Sequence, residues 1–131
     1  MKVFVYGTLK PGERNYPYYC GSQVIDRLEA YTPGYLYALS LGYPALTPGA
    51  GKVRGFLLTF VSTAALNRLD QLEDYHPQRD RHQNEYQRQL LTVYATSGRP
   101  LGEAWGYLML PEKVRELGGV FLPSGWWTEN R

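Results

Sequence analysis

The chain has 131 residues, 44% of them hydrophobic and 20% charged, with a net charge of +2. That balance excludes a disordered chain, and the scattered basic residues give nucleic acid no stripe to bind; Arg79 and Arg81 sit together in a polar stretch that reads as solvated surface. The single cysteine, Cys20, excludes an intrachain disulfide and suits a reducing compartment. A lone thiol of this kind is more often buried than nucleophilic. Twelve tyrosines and three tryptophans suit a β-rich core with pockets walled by rings and hydroxyl groups. No apolar run is long enough to span a bilayer, and no cleavage-type sequence follows the first apolar run. The expectation is one cytoplasmic domain covering residues 1–131.

The chain opens on Lys2-Val-Phe-Val-Tyr6, a β-branched and aromatic run that predicts a buried strand over 2–6. Gly7-Thr8-Leu9 breaks it and Pro11-Gly12 closes the turn. A strand entering a glycine turn can leave several N–H groups unpaired and pointing one way, a nest for carboxylates or oxyanions; it can equally be an ordinary core strand and turn. Further strands are expected at 22–29, 34–39, 53–60, 86–95 and 103–110, punctuated by Pro33-Gly34, Gly42-Tyr43-Pro44, Pro48-Gly49 and Gly98-Arg99-Pro100. There is no room for a helix between most of them, which excludes a doubly wound parallel sheet. The expected architecture is α+β: a mixed, mostly antiparallel sheet curling into a small barrel, with a few flanking helices.

One helix is expected from Thr63 to Asp74. Ser62 suits its N-cap, and Ala65, Leu69 and Leu72 form an apolar stripe at i, i+4 and i+7. Glu73 lies on the shoulder of that stripe near the helix C-terminus, with Asp70 and Asp74 assigned to the wetter side. Desolvation and the negative helix end both push such a carboxyl toward its neutral form, which suits a group that shuttles protons near neutral pH. Position alone also allows a helix-end glutamate that swings into solvent or pairs with Arg68, Arg79 or Arg88. Residues 75–85 are polar and aperiodic and read as a loop. His76 and His82 within it match no metal-ligand spacing. A short helix is expected from Pro111 to Leu117, ended by Gly118-Gly119. The tail Gly125-Trp-Trp-Thr-Glu-Asn-Arg131 is either docked by its tryptophans or used at a contact with another protein. No G-x-S-x-G elbow, Walker loop or G-x-G-x-x-G fingerprint is present.

Taken together, several patches resemble the γ-glutamylcyclotransferase superfamily, and within it the small γ-glutamylamine cyclotransferase, avirulence-induced-gene-like branch. They are Val3-Phe-Val-Tyr-Gly-Thr-Leu-Lys-Pro-Gly12, Thr32-Pro-Gly-Tyr-Leu-Tyr37, Gly42-Tyr-Pro-Ala-Leu46 with Val53-Arg-Gly-Phe56, Leu69-Asp-Gln-Leu-Glu73, Glu85-Tyr-Gln-Arg88 and Ala104-Trp-Gly-Tyr107. The resemblance implies Glu73 as general acid and base. It implies Tyr6, Gly7, Thr8 and Leu9 as the loop that receives the glutamyl part, with Tyr86 contacting substrate or holding Glu73. It implies a small γ-glutamyl substrate, 5-oxoproline as a product, and neither metal nor organic cofactor, because the nucleophile is the substrate's own α-amine. Asn15 is a further candidate for ligand contact or for capping a short turn, and Arg88 is expected to partner an acidic residue. Two departures stand out. Asp74 replaces the glycine that family members commonly carry after the glutamate, and the run from Tyr75 to Asn84 is expanded and expected to border the pocket. These departures keep a non-catalytic small-molecule binding module on the same fold as the alternative. The leaving amine is open, and so is the choice between a monomer and a weak homodimer.

Overall fold

A computed structural model describes residues 1–129. The strands are β1 (Lys2–Val5), β2 (Val24–Ala38), β3 (Pro44–Phe60), β4 (Gln87–Ala95), β5 (Pro100–Leu108) and β6 (Val120–Phe121). The helices are α1 (Tyr16–Tyr19), α2 (Ala65–Leu72) and α3 (Pro111–Glu116), with 3-10 turns at Gly21–Gln23 and Arg81–Gln83. Strand order β3-β1-β5-β4-β2, with β2 also pairing β3, closes a five-stranded barrel. Every pairing around it is antiparallel except β1 with β5, which run parallel through Val3 and Trp105. The α+β barrel expected from the sequence is the architecture found.

After its exposed first residue, Lys2, β1 is apolar because Val3, Phe4 and Val5 are buried on both faces. Val3 and Val5 join the cluster under α2, with Leu58, Phe60, Leu69 and Met109. Phe4 and Tyr6 join the barrel interior, with Leu36, Leu46, Val53, Leu91 and Val93.

Two of the expected strands, 22–29 and 34–39, prove to be one. β2 runs unbroken through Pro33-Gly34, and its ladder with β3 continues from Val24↔Phe60 to Ala38↔Pro44. The punctuation appears instead as a register slip between Pro33 and Tyr35, opposite Pro48-Gly49 of β3. A bulge absorbs proline and glycine within a ladder without ending the strand. β3 accordingly starts at Pro44 rather than near residue 53. α1 and β6 carry too little periodicity to be expected from the sequence. α2 begins two residues later than expected, and Ser62 caps a preceding turn by accepting the N–H of Ala64. Among the described residues, no helix is long and apolar enough to cross a membrane.

Of the two uses considered for the tail, docking is the one observed. Trp127 is only 2% exposed and packs into the barrel-interior cluster. Lys10, just past the first turn, is 1% exposed and donates through Nζ to the carbonyl of Trp127. Its ammonium lies 4.2 Å from the ring centroid of Trp126 and 3.5 Å from the Glu13 carboxylate. A buried ammonium is tolerable only with such partners, and burial still pulls the Lys10 amine below its ordinary range. Gly125 completes the docking. Its carbonyl accepts the N–H of Arg54, its φ is +68°, and a Cβ would lie 2.0 Å from the Lys52 carbonyl oxygen. Truncating Trp127 to Ala therefore removes core packing and exposes the Lys10 clamp. We expect Trp127→Ala to lower unfolding stability by about 3–5 kcal/mol in urea denaturation, and Trp126→Ala, half-buried, to cost less.

Candidate active site

A cavity of about 270 Å³ opens at the rim where β1 ends, between the turn that follows β1, the start of β3, the end of α2 and the start of β4. Tyr6, Gly7, Thr8, Leu9, Glu73 and Tyr86, drawn from three separate parts of the sequence, all line it. So do Arg14, Asn15, Tyr43, Leu72, Glu85 and Tyr107.

The turn after β1 is held open. The carbonyl of Gly7 accepts the N–H of Lys10, and that of Thr8 accepts the N–H of Asn15. Asn15 stands at the N-cap position of α1 but makes no side-chain cap there; its Nδ2 braces Thr8 Oγ1 at 2.9 Å instead. The N–H groups of Gly7, Thr8 and Leu9 donate to no protein acceptor among the described residues. Such free donors at a cavity wall are where an oxyanion or carboxylate gains most. Gly7 is required by crowding, since a Cβ there would meet the Pro44 ring at 2.8 Å.

The two tyrosines are fixed through their hydroxyl groups. Tyr6 donates to the Tyr107 carbonyl at 2.7 Å and accepts the N–H of Leu46. Tyr86 donates to the Pro44 carbonyl at 2.6 Å. Both therefore offer ring surface to the cavity, while their hydroxyl groups knit β1, β3, β4 and β5 together.

Glu73 ends α2. It is the C-cap residue, and the next residue, Asp74, has φ +52°. Asp74 N–H bonds the Gln71 carbonyl and Tyr75 N–H bonds the Asp70 carbonyl, a Schellman termination. The left-handed residue explains why glycine suits this position, and Asp is among the few others that tolerate it. Asp74 adds a second service: its carboxylate and carbonyl both accept from Arg79. Asp70 is not on a wet face, as its place on the helix had suggested. Its side chain is 15% exposed, accepts from the Tyr107 hydroxyl and pairs with Arg88 at 2.7 Å. Asp70 and Glu73 are three residues apart on the helix and share its inward side. Arg88 thus has the acidic partner expected of it. Among the described residues no cation lies within salt-bridge distance of Glu73. Burial, and secondarily the neighbouring Glu85 carboxylate, push the Glu73 carboxyl up to about 8.

The expanded run does not border the cavity as expected. It folds over Asn84, which is buried, accepts from His76 N–H and Arg79 Nε, and donates to the His76 carbonyl. Only the residue after it, Glu85, reaches the site. There Glu85 accepts the hydroxyl proton of Tyr43, whose ring tilts against Tyr86. Tyr43 and Glu85 fall within the patches Gly42–Leu46 and Glu85–Arg88, but neither is given a site role by the sequence, because each lies beside an element rather than on a periodic face. Cys20 is buried and its thiol is pushed up to about 12, so it stays protonated.

With this geometry in place, comparison with known proteins is direct. Residues 3–129 match the family model described as gamma-glutamyl cyclotransferase, AIG2-like. A putative gamma-glutamylcyclotransferase of Vibrio cholerae is 36% identical over 127 residues, 97% of this chain and 95% of that one. The gamma-L-glutamyl-butirosin B gamma-glutamyl cyclotransferase of Niallia circulans is 35% identical over 106 residues, 81% of this chain and 65% of that one. The solution structure of ytfP from Escherichia coli superposes with a TM-score of 0.64 at 28% identity, covering 99% of this chain and 98% of that one. The closed barrel is the fold shared with this structural neighbour, and the chain belongs to the AIG2-like γ-glutamylcyclotransferase family.

The position of Glu73 also carries a stability signature. The native state keeps a proton that the unfolded chain releases above about 4.5, so this contribution is full below that pH and is lost as pH rises toward about 8. We expect Glu73→Gln to remove that loss and to be more stable than wild type above pH 8 by at least about 1 kcal/mol, several degrees in Tm. Thermal melts across pH 4–9 check this.

Proposed function

We propose that the protein cyclises γ-glutamyl amines or γ-glutamyl amino compounds, releasing 5-oxoproline and the free amine, with Glu73 moving the protons. The observation that carries this reading is a carboxyl that has no cation partner among the described residues and is held largely neutral near pH 7, in a small cavity also lined by three residues whose backbone N–H groups are unpaired among the described residues.

In the proposed reaction the substrate bends so that its α-nitrogen reaches its own γ-carbonyl carbon. A cavity of this size favours the compact conformer and supplies catalysis by proximity. Glu73 as carboxylate takes a proton from the α-ammonium, and the new N–C bond forms. Negative charge moves onto the γ-oxygen, where N–H groups of Gly7, Thr8 and Leu9 receive it. Collapse breaks the bond from the γ-carbon to the amine nitrogen. Two protons in all pass from the α-nitrogen to the leaving nitrogen, with Glu73 as the relay. Tyr6 and Tyr86 wall the glutamyl chain. The nucleophile belongs to the substrate, so the steps require neither metal nor organic cofactor. A single buried thiol suits a reducing compartment, which we take to be the cytoplasm. The two departures that favoured a mere binding module are both absorbed by the fold: Asp74 adopts the glycine conformation, and the expanded run stays off the cavity.

The test is 5-oxoproline release from a panel of γ-glutamyl compounds. We expect Glu73→Gln to lower kcat by roughly 10²–10⁴-fold with a correctly folded protein. The acid limb of wild-type kcat/KM should rise with pH and level off near 8, where the carboxylate becomes the dominant form. Full activity in Glu73→Gln would overturn the assignment.

A further inference from the structure

We propose that Glu85 selects the leaving half of the substrate, and that this chain prefers γ-glutamyl compounds whose amine half carries a second positive charge. The inference rests on the cyclotransferase reading and deepens it.

Among the described residues the cavity wall holds two carboxyl groups, Glu73 and Glu85, and one cation, Arg14. Arg14 is already engaged: its guanidinium donates to the Gly42 carbonyl at 3.1 Å and pairs with the Glu129 carboxylate. Lys10, the nearest other cation in sequence, is clamped by Glu13 and the Trp127 carbonyl. Glu85 is half-buried, and its one side-chain partner among the described residues is the Tyr43 hydroxyl, which donates to it. That bond leaves acceptor capacity on the Glu85 carboxylate, which can take more than one donor. A half-buried carboxylate with no cation at salt-bridge distance among the described residues is costly in the empty protein, and the cost is recovered when a cation arrives. The proposed chemistry already places the α-ammonium at Glu73 and the developing oxyanion at the turn after β1. With the glutamyl α-carboxylate assigned to the N–H groups of the same turn, the charged function left on a γ-glutamyl amine is on its amine half. An ammonium there meets Glu85, a methyl group meets nothing that rewards it, and a carboxylate meets a wall of its own sign.

The series that tests this keeps the length fixed and changes only the end group: mono-γ-glutamyl conjugates of 1,4-diaminobutane, pentylamine and 5-aminopentanoate. We expect kcat/KM for 5-oxoproline release to fall in that order, with the cationic conjugate ahead of the neutral one by about tenfold or more. Glu85→Gln should bring the ratio of cationic to neutral substrate close to one, and Glu85→Asp should restore part of it. A wild-type ratio near one, a ratio unchanged in Glu85→Gln, or a preference for the anionic conjugate, which would place Arg14 in control, each overturns the proposal. Thermal stabilisation of Glu73→Gln by the same three compounds separates the two claims. Stabilisation in the expected order that disappears on adding Glu85→Gln supports the Glu85 site even if wild type releases no 5-oxoproline, and that lack of release overturns the cyclotransferase reading alone.

Discussion

The barrel is closed by a parallel contact between β1 and β5, and the site depends on that closure. Two strands running the same way end on the same rim. Tyr6 leaves β1 beside Tyr107 near the end of β5, and the hydroxyl of the first bonds the carbonyl of the second. The same hydroxyl receives the N–H of Leu46 from β3. One tyrosine thus ties three strands just where the turn bearing Gly7, Thr8 and Leu9 departs. The ring of Tyr107 extends the tie to α2 through Asp70, whose carboxylate also takes Arg88 from β4. The orientation of the helix end that presents Glu73 follows from these bonds.

Desolvation acts at two places near this rim, on charges of opposite sign. It pushes Glu73 toward its neutral acid and pulls Lys10 toward its neutral amine. The surroundings answer differently. Lys10 is given a carbonyl, a carboxylate and two indole faces, so its charge is met and it serves as a structural pin. Glu73 is given another carboxylate, Glu85, and no cation among the described residues, so its charge is not met by them. A protein that only needed to stabilise this region would have paired the acid with a base, and the nearby Arg88 goes to Asp70 instead.

Much of this was readable from the chain because the relevant elements have strong local signals. β1 is apolar on both faces, the stripe Ala65, Leu69, Leu72 fixes the roll of α2, and Gly7 marks a turn that crowding against Pro44 leaves open only to glycine. The roll of α2 brings Glu73 to the cavity. It should also have brought Asp70 inward, three residues earlier, but Asp70 is polar, and polar residues are assigned to water unless a partner is known. Its partners, Arg88 and Tyr107, are 18 and 37 residues away. The same limit hid the continuity of β2, because a proline and a glycine look alike whether they end a strand or bulge it. Tyr43 and Glu85 meet only through tertiary folding, 42 residues apart. Local periodicity carries no information about such pairs.

The clamp between Lys10 and Trp127 joins groups 117 residues apart in the chain. During synthesis the first turn and its lysine leave the ribosome long before the tryptophans that cover them. Until then the Lys10 ammonium stays in water, and the turn that lines the cavity has only its own local bonds through Gly7, Thr8 and Asn15. A chain ending short of Gly125 therefore lacks the carbonyl and the indole faces that meet the Lys10 charge.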